Sequence, residues 1–198
     1  MMMMEDTPVP LARLPIAELR AHLRMGTGFA EDTLQDAVLE GFLRASLAAI
    51  EARTGKAILA RSVTWRVREW DALVGHGLSM APVMSVEVVQ VVDGGGVAQD
   101  IDEDVRLEND THTPILRPMG ACLPAIPTQG FAEISATVGF GATWAEVPAD
   151  LQQAVMMLAA HFYEYRHDTA LRGGCMPFGV TSLIERFRPL RLSLRSAV

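Results

Sequence analysis

The hydrophobic period of this chain changes twice, and that double change restricts its fold more than any other feature. Leu34, Val38, Phe42, Ala45 and Ala49 recur at helical spacing, with Leu39, Leu43, Leu47 and Ile50 beside them. Asp32 or Glu31 supplies an acidic start and Gly55 a stop, so a helix over Thr33 to Arg53 with a wide apolar face is predicted. Strand spacing follows. Val63, Trp65 and Val67 alternate with polar neighbours, Val83 to Val92 is a β-branched run closed by Asp93-Gly94-Gly95-Gly96, and Ala132 to Val138 alternates again before Gly139. Val105 to Glu108 and Ile115 to Arg117 are shorter candidates. Helical period returns at Leu151, Val155, Leu158, Ala159 and Phe162, with Pro148 in the first turn and the helix running to about His167. A short final helix is expected near Val180 to Phe187.

Ahead of these lie a loose arm carrying Pro8 and Pro10 and a short helix from Pro15 with Leu19 and Leu23 on one face, ended by Gly26 and Gly28. The expected fold class is α+β, a helical bundle from the N- and C-terminal helices with an inserted small antiparallel β region. The expected divisions of one 198-residue domain are 14–55 helical, 57–141 β insertion, 147–187 helical and 188–198 an extended tail.

Composition sets outer limits. At 49% hydrophobic residues the chain has material for a core. A net charge of −7 argues against a general nucleic-acid coat. Cys122 and Cys175 stand far apart without ligand spacing, so neither a disulfide framework nor a zinc site is indicated, and a reducing cytoplasm is the default compartment. The start, Met1 to Met4 then Glu5 and Asp6, has no basic segment and no long apolar stretch, so it is not read as a signal peptide, and no 18-residue apolar run implies a membrane span. Lys56 is the one lysine against sixteen arginines, a bias read as the mark of a GC-rich bacterial genome.

Several constellations imitate chemistry. His161, Glu164 and His167 sit three apart on one helix, but no second carboxylate-rich helix is predicted to face them, so a solvated polar face is the better reading. Asp100, Asp102 and Asp104 open like a calcium loop, yet Val105 replaces the glycine of the sharp turn and Thr111 the bidentate glutamate, which leaves an acidic surface loop. Gly94 to Gly96 lack the Lys-Ser/Thr pair of a phosphate cradle, and nothing marks a base for Cys175. No catalytic residue, metal site or cofactor is assigned. From Arg186 to Val198 there are four arginines and no acid, so the preceding residues hold −11. Leu190, Leu192 and Leu194 alternate with Arg191, Ser193 and Arg195 after Pro189. That pattern suits an apolar, basic docking arm, or equally an edge segment folding back on its own core.

In order along the chain, Pro15-Ile16-Ala17-Glu18-Leu19-Arg20-Ala21-His22-Leu23-Arg24, the helix ending Ile50-Glu51-Ala52-Arg53-Thr54-Gly55-Lys56-Ala57-Ile58, the Trp65 strand and Pro82-Val83-Met84-Ser85-Val86 form an ordered set. It continues through Ala136-Thr137-Val138-Gly139-Phe140-Gly141, Val147-Pro148-Ala149-Asp150-Leu151, His161-Phe162-Tyr163-Glu164-Tyr165-Arg166 and Pro177-Phe178-Gly179-Val180. From about residue 15 this set resembles the head–tail connector (adaptor) proteins of phages and of alphaproteobacterial gene transfer agents. The resemblance implies a structural, non-enzymatic neck subunit, assembled in the bacterial cytoplasm. It implies a ring of twelve copies between the portal protein and a downstream neck or stopper protein, with duplex DNA passing through and no membrane partner. By position, the portal-docking residues would be Arg186, Phe187, Arg188, Leu190, Arg191, Leu192, Leu194 and Arg195. Another neck protein (stopper or tail terminator) or a small cytosolic enzyme are the alternatives. The acidic loop at 100–110 receives no role.

Overall fold

In a computed structural model the described residues are 2–25, 32–166 and 176–189, with the backbone alone described at 32–34. Among them are eight strands and four α-helices. The strands are β1 (Met2–Glu5), β2 (Arg61–Val67), β3 (His76–Gly77), β4 (Val83–Val92), β5 (Ala98–Asp100), β6 (Val105–Glu108), β7 (Ile115–Pro118) and β8 (Phe131–Val138). The helices are α1 (Ile16–His22), α2 (Asp32–Thr54), α3 (Ala149–Glu164) and α4 (Phe178–Ile184).

The strands form a five-stranded sheet in the order β1-β2-β8-β4-β5 and a three-stranded sheet in the order β3-β7-β6. All paired strands run antiparallel. Val63, Trp65, Val89, Ile134 and Val138 of the larger sheet share one core with Leu78, beside β3, and with Leu116, Val105 and Leu107 of the smaller. Trp65 is wholly enclosed and donates its indole N–H to Ser79 at 3.1 Å. The helices build a second core from Leu19, Leu39, Leu43, Ile50, Leu151, Val155, Leu158, Val180 and Ile184. Each such buried aliphatic side chain contributes about 2 kcal/mol before the entropy of ordering it. The fold is therefore a mixed α+β structure in which β sheet is a full partner. The expected helical bundle with a small β insertion is corrected, because eight strands in two sheets enclose a core of their own.

The N-terminal arm is corrected too. Met2 to Glu5 pair in unbroken register with Arg66 to Val63, and Asp6 extends the ladder through its N–H to Ser62. The N-terminus thus belongs to the β layer, although α1 and α2 follow it in sequence. Val9 and Leu14 carry the connection across into the helical core. α1 closes without glycine. Arg24 adopts φ 55°, the Met25 N–H reaches the Arg20 carbonyl and the Arg24 N–H the Ala21 carbonyl, which satisfies the last turn. Gly26 and Gly28, the expected stops, lie outside the described residues.

The layers are joined by two short segments lying side by side. Residues 55–60 leave α2 and residues 139–141 leave β8. The Ala60 N–H bonds Gly141, Ala57 bonds Ala81, Ala81 bonds Gly55 and Gly139 bonds Pro82. Gly139 has φ +135°, and a Cβ there would stand 2.6 Å from the Ala60 Cα. Glycine alone permits that approach.

Candidate functional site

The arginine-rich end begins inside the fold. A short 3₁₀ turn, Glu185–Phe187, continues α4. Phe187 is buried in the helical core, with its ring edge-on to Phe140 at 6.0 Å. Arg186 grips Asp150 in the first turn of α3 at 2.6 Å and lies over the Phe187 ring at 4.6 Å. Arg188 pairs with Glu185 at 3.0 Å. The root of the tail is thus fixed to the joint between the two layers, and two of its arginines each pair with an acid there while staying exposed. Leu190, Arg191, Leu192, Leu194 and Arg195 lie outside the described residues.

A second surface runs along α2. Leu39, Leu43, Leu47 and Ile50 face inward, while Ala37, Gly41, Ala45, Ala48 and Ala52 are exposed on the other side. Their spacing of four, four, three and four places them in one stripe. A Cβ at Gly41 would meet nothing within 4 Å. No residue of the stripe is larger than alanine, so another backbone can approach it.

The titratable clusters are structural. The Arg61 guanidinium holds Glu51 in a two-pronged pair at 2.8 and 2.7 Å and has Glu5 at 3.2 Å, so it ties β2 to the end of α2 and to β1. Burial works against its charge, but the hydrogen bond and charge of Glu51 together with the charge of Glu5 raise its pKa above the ordinary value. The groove beside it, about 220 Å³, is lined by Pro8, Val9, Leu47 and Leu59 as well as these charges. Both guanidinium NH₂ groups are spent on Glu51. Lys56 is buried, donates to the Thr111 carbonyl and lies 3.4 Å from His112 Nδ1. It pins the loop between β6 and β7 to the foot of α2. Burial lowers its pKa, opposed by nearby Asp110.

The imitations seen in the sequence are occupied by local roles. The Asp102 carboxylate caps the Val89 N–H, and Asp100 accepts from the Asp102 N–H at 2.9 Å, so both brace the β4–β5 hairpin. His161 lies against Tyr165 with ring centroids 4.7 Å apart and the planes tilted by 44°, and His167 lies outside the described residues. Among the described residues, no group of three or more His, Cys, Asp or Glu could hold a metal ion. Among the same residues no helix is long and apolar enough to cross a membrane. Sequence reasoning passed over Lys56 as a clamp and the exposed tip at Leu73 and Val74. Its signals are a lone lysine next to a helix stop and an apolar pair inside a turn.

No protein-family model matches the chain, and no curated protein does. Among solved structures, one chain from the neck of an empty gene transfer agent particle, computed with C6 symmetry, is 47% identical over 97% of both chains, with a TM-score of 0.88. The chain belongs to the head–tail connector family. Two further members agree. A chain from the virion of a native gene transfer agent particle is 46% identical with a TM-score of 0.85, and one from a native particle neck computed with C12 symmetry is 43% identical with a TM-score of 0.84. Each match covers 97% of both chains.

Proposed function

We propose that this chain is the adaptor subunit of a particle neck. Copies of it, twelve by expectation, form a ring on the portal protein. The segment from Arg186 to Arg195 holds the ring there, a downstream neck or stopper protein sits on the other side, and duplex DNA passes through the lumen. The observation that carries this reading is the 47% identity over 97% of both chains to a protein of a gene transfer agent neck. Necks computed with twelve- and sixfold symmetry among these relatives support a ring of copies. A closed ring needs two different faces on each subunit that fit one another. The exposed small-residue stripe of α2 is suited to be one of them. The buried Phe187 supplies the arm with a fixed root, so a pull on the arm is borne by the core.

The test is to mix the protein with the portal protein from the same locus and image the complex by electron microscopy, beside a chain truncated after Pro189. That cut spares Phe187 and the Arg186–Asp150 pair. A ring of extra density that is lost on truncation is the expected result. A ring that survives truncation discards the arm and keeps the adaptor role. No ring with either chain overturns the adaptor role in favour of another position in the neck.

A further inference from the structure

We propose that the loop between β6 and β7 is a pH-operated clasp: it is fastened to the foot of α2 while the His112 imidazole is neutral, and let go when that ring takes up a proton. Lys56 is 1% exposed, so its ammonium depends on protein atoms for partners. An ammonium has three N–H groups to place. One goes to the Thr111 carbonyl, and His112 Nδ1 lies 3.4 Å away, within reach of a second. The imidazole can serve there only as an acceptor, with its proton on Nε2. His112 itself is exposed, so its ring exchanges protons with solvent. Protonation turns Nδ1 into a donor facing a cation. The contact then changes from attraction to repulsion, and the enclosed ammonium loses a partner.

The charged groups around the clasp do not cancel this change. Asp110, in the same loop, attracts both cations, but its carboxylate also accepts the Thr113 and His112 N–H groups at 2.7 and 2.8 Å, which keeps its pKa below the ordinary 3.8. It therefore stays ionised where histidine ordinarily changes charge, at about pH 6.5. Glu108, at the end of β6, is held by Arg117 at 2.8 Å, with Arg106 also acting on it. The last turn of α2 brings Arg53, and β4 brings Glu87, which accepts from Ser85 and Thr137. From β3 comes the half-buried His76, whose pKa burial holds below the ordinary 6.5. The loop also reaches the neighbouring strands. Asn109 donates to the Val83 carbonyl at 3.1 Å, and the Leu78 N–H bonds the Pro114 carbonyl at 2.8 Å. Lys56 itself bridges to Ala81 in the joint between the layers. Release of the clasp therefore loosens the smaller sheet from that joint at one point, while neither apolar core contains a residue of the loop.

Lys56 is the one lysine of the chain, so labelling lysine Nζ with heavy nitrogen gives a single ammonium signal by nuclear magnetic resonance. Exchange of its protons with water, divided into that of free lysine at the same pH, gives a protection factor. In the unaltered full chain this factor should fall about fivefold or more between pH about 7.5 and about 5.5, on either side of the ordinary histidine range. His112→Gln, neutral at both values, should be equally protected at both. His112→Arg, charged at both, should be poorly protected at both. His76→Gln should behave as the unaltered chain does. Constant protection in the unaltered chain overturns the inference, and that measurement needs no variant to fold. A fall that persists in His112→Gln also overturns it, as does one that vanishes in His76→Gln, because the proton would then be acting elsewhere.

Discussion

At the scale of single residues, Lys56 is the side chain whose placement says most. Its ammonium is enclosed at the foot of α2, and burial keeps its pKa below the ordinary 10.5. The unfolded chain therefore holds this proton more tightly than the folded one. The Lys56 contribution to folded-state stability rises as the pH climbs through the range just below 10.5, because there this group holds more bound proton in the unfolded state. Lys56→Met removes that dependence. In melting curves taken at several alkaline pH values, the difference between the unaltered chain and the variant should move in favour of the unaltered chain as pH increases. A constant difference would mean that the ammonium is solvated. The sequence shows a lone lysine and invites an explanation from genome composition. That it closes a loop was not legible, since the loop it bonds lies more than fifty residues away along the chain.

At the scale of elements, the sequence carried α2, β4 and β6 almost to the residue, because α2 keeps a helical period, β4 is a β-branched run closed by a glycine turn and β6 alternates. It lost β1, β3 and β5. β5 is exposed along its length, β3 has only two residues, and β1 is a run of methionines without alternation, so none carries the pattern that marks a half-buried strand. The size of the β layer was lost for a related reason. Periodicity tells which face of a strand is buried but not which strands share a core, and here the two sheets enclose one together. The joint between the layers is the element most exposed to a single change. At Gly139 a methyl group would collide with the Ala60 backbone, at a φ that other residues avoid. Gly139→Ala should cost about 3 kcal/mol in urea unfolding. A cost under about 1 kcal/mol would show that segments 55–60 and 139–141 can slide apart without harm. The arm beyond Pro189 lies outside the described residues. That Phe187 at its root is buried was not legible, because nothing in the sequence pattern distinguishes a buried aromatic from a docking one.

At the scale of the whole molecule, the charge balance bears on what the ring does with DNA. Arg186, Arg188, Arg66, Arg117 and Arg61 each face an acid of the same chain, so they are poorly placed to collect phosphates. A conduit that lets a duplex slide should bind it weakly and with little dependence on salt. Titration of duplex DNA with the purified protein in about 0.2 M salt should give no dissociation constant tighter than about 10 μM. Tight binding under those conditions would make the protein a DNA clamp and not a passage. The enclosed position of the one lysine also has a practical side. Reagents that join proteins through amines find one side-chain amine per copy, and it is shut away. Fixation with amine-specific bifunctional esters should therefore leave rings of this protein largely unlinked, and a band of monomers after such treatment says nothing about whether a ring was there.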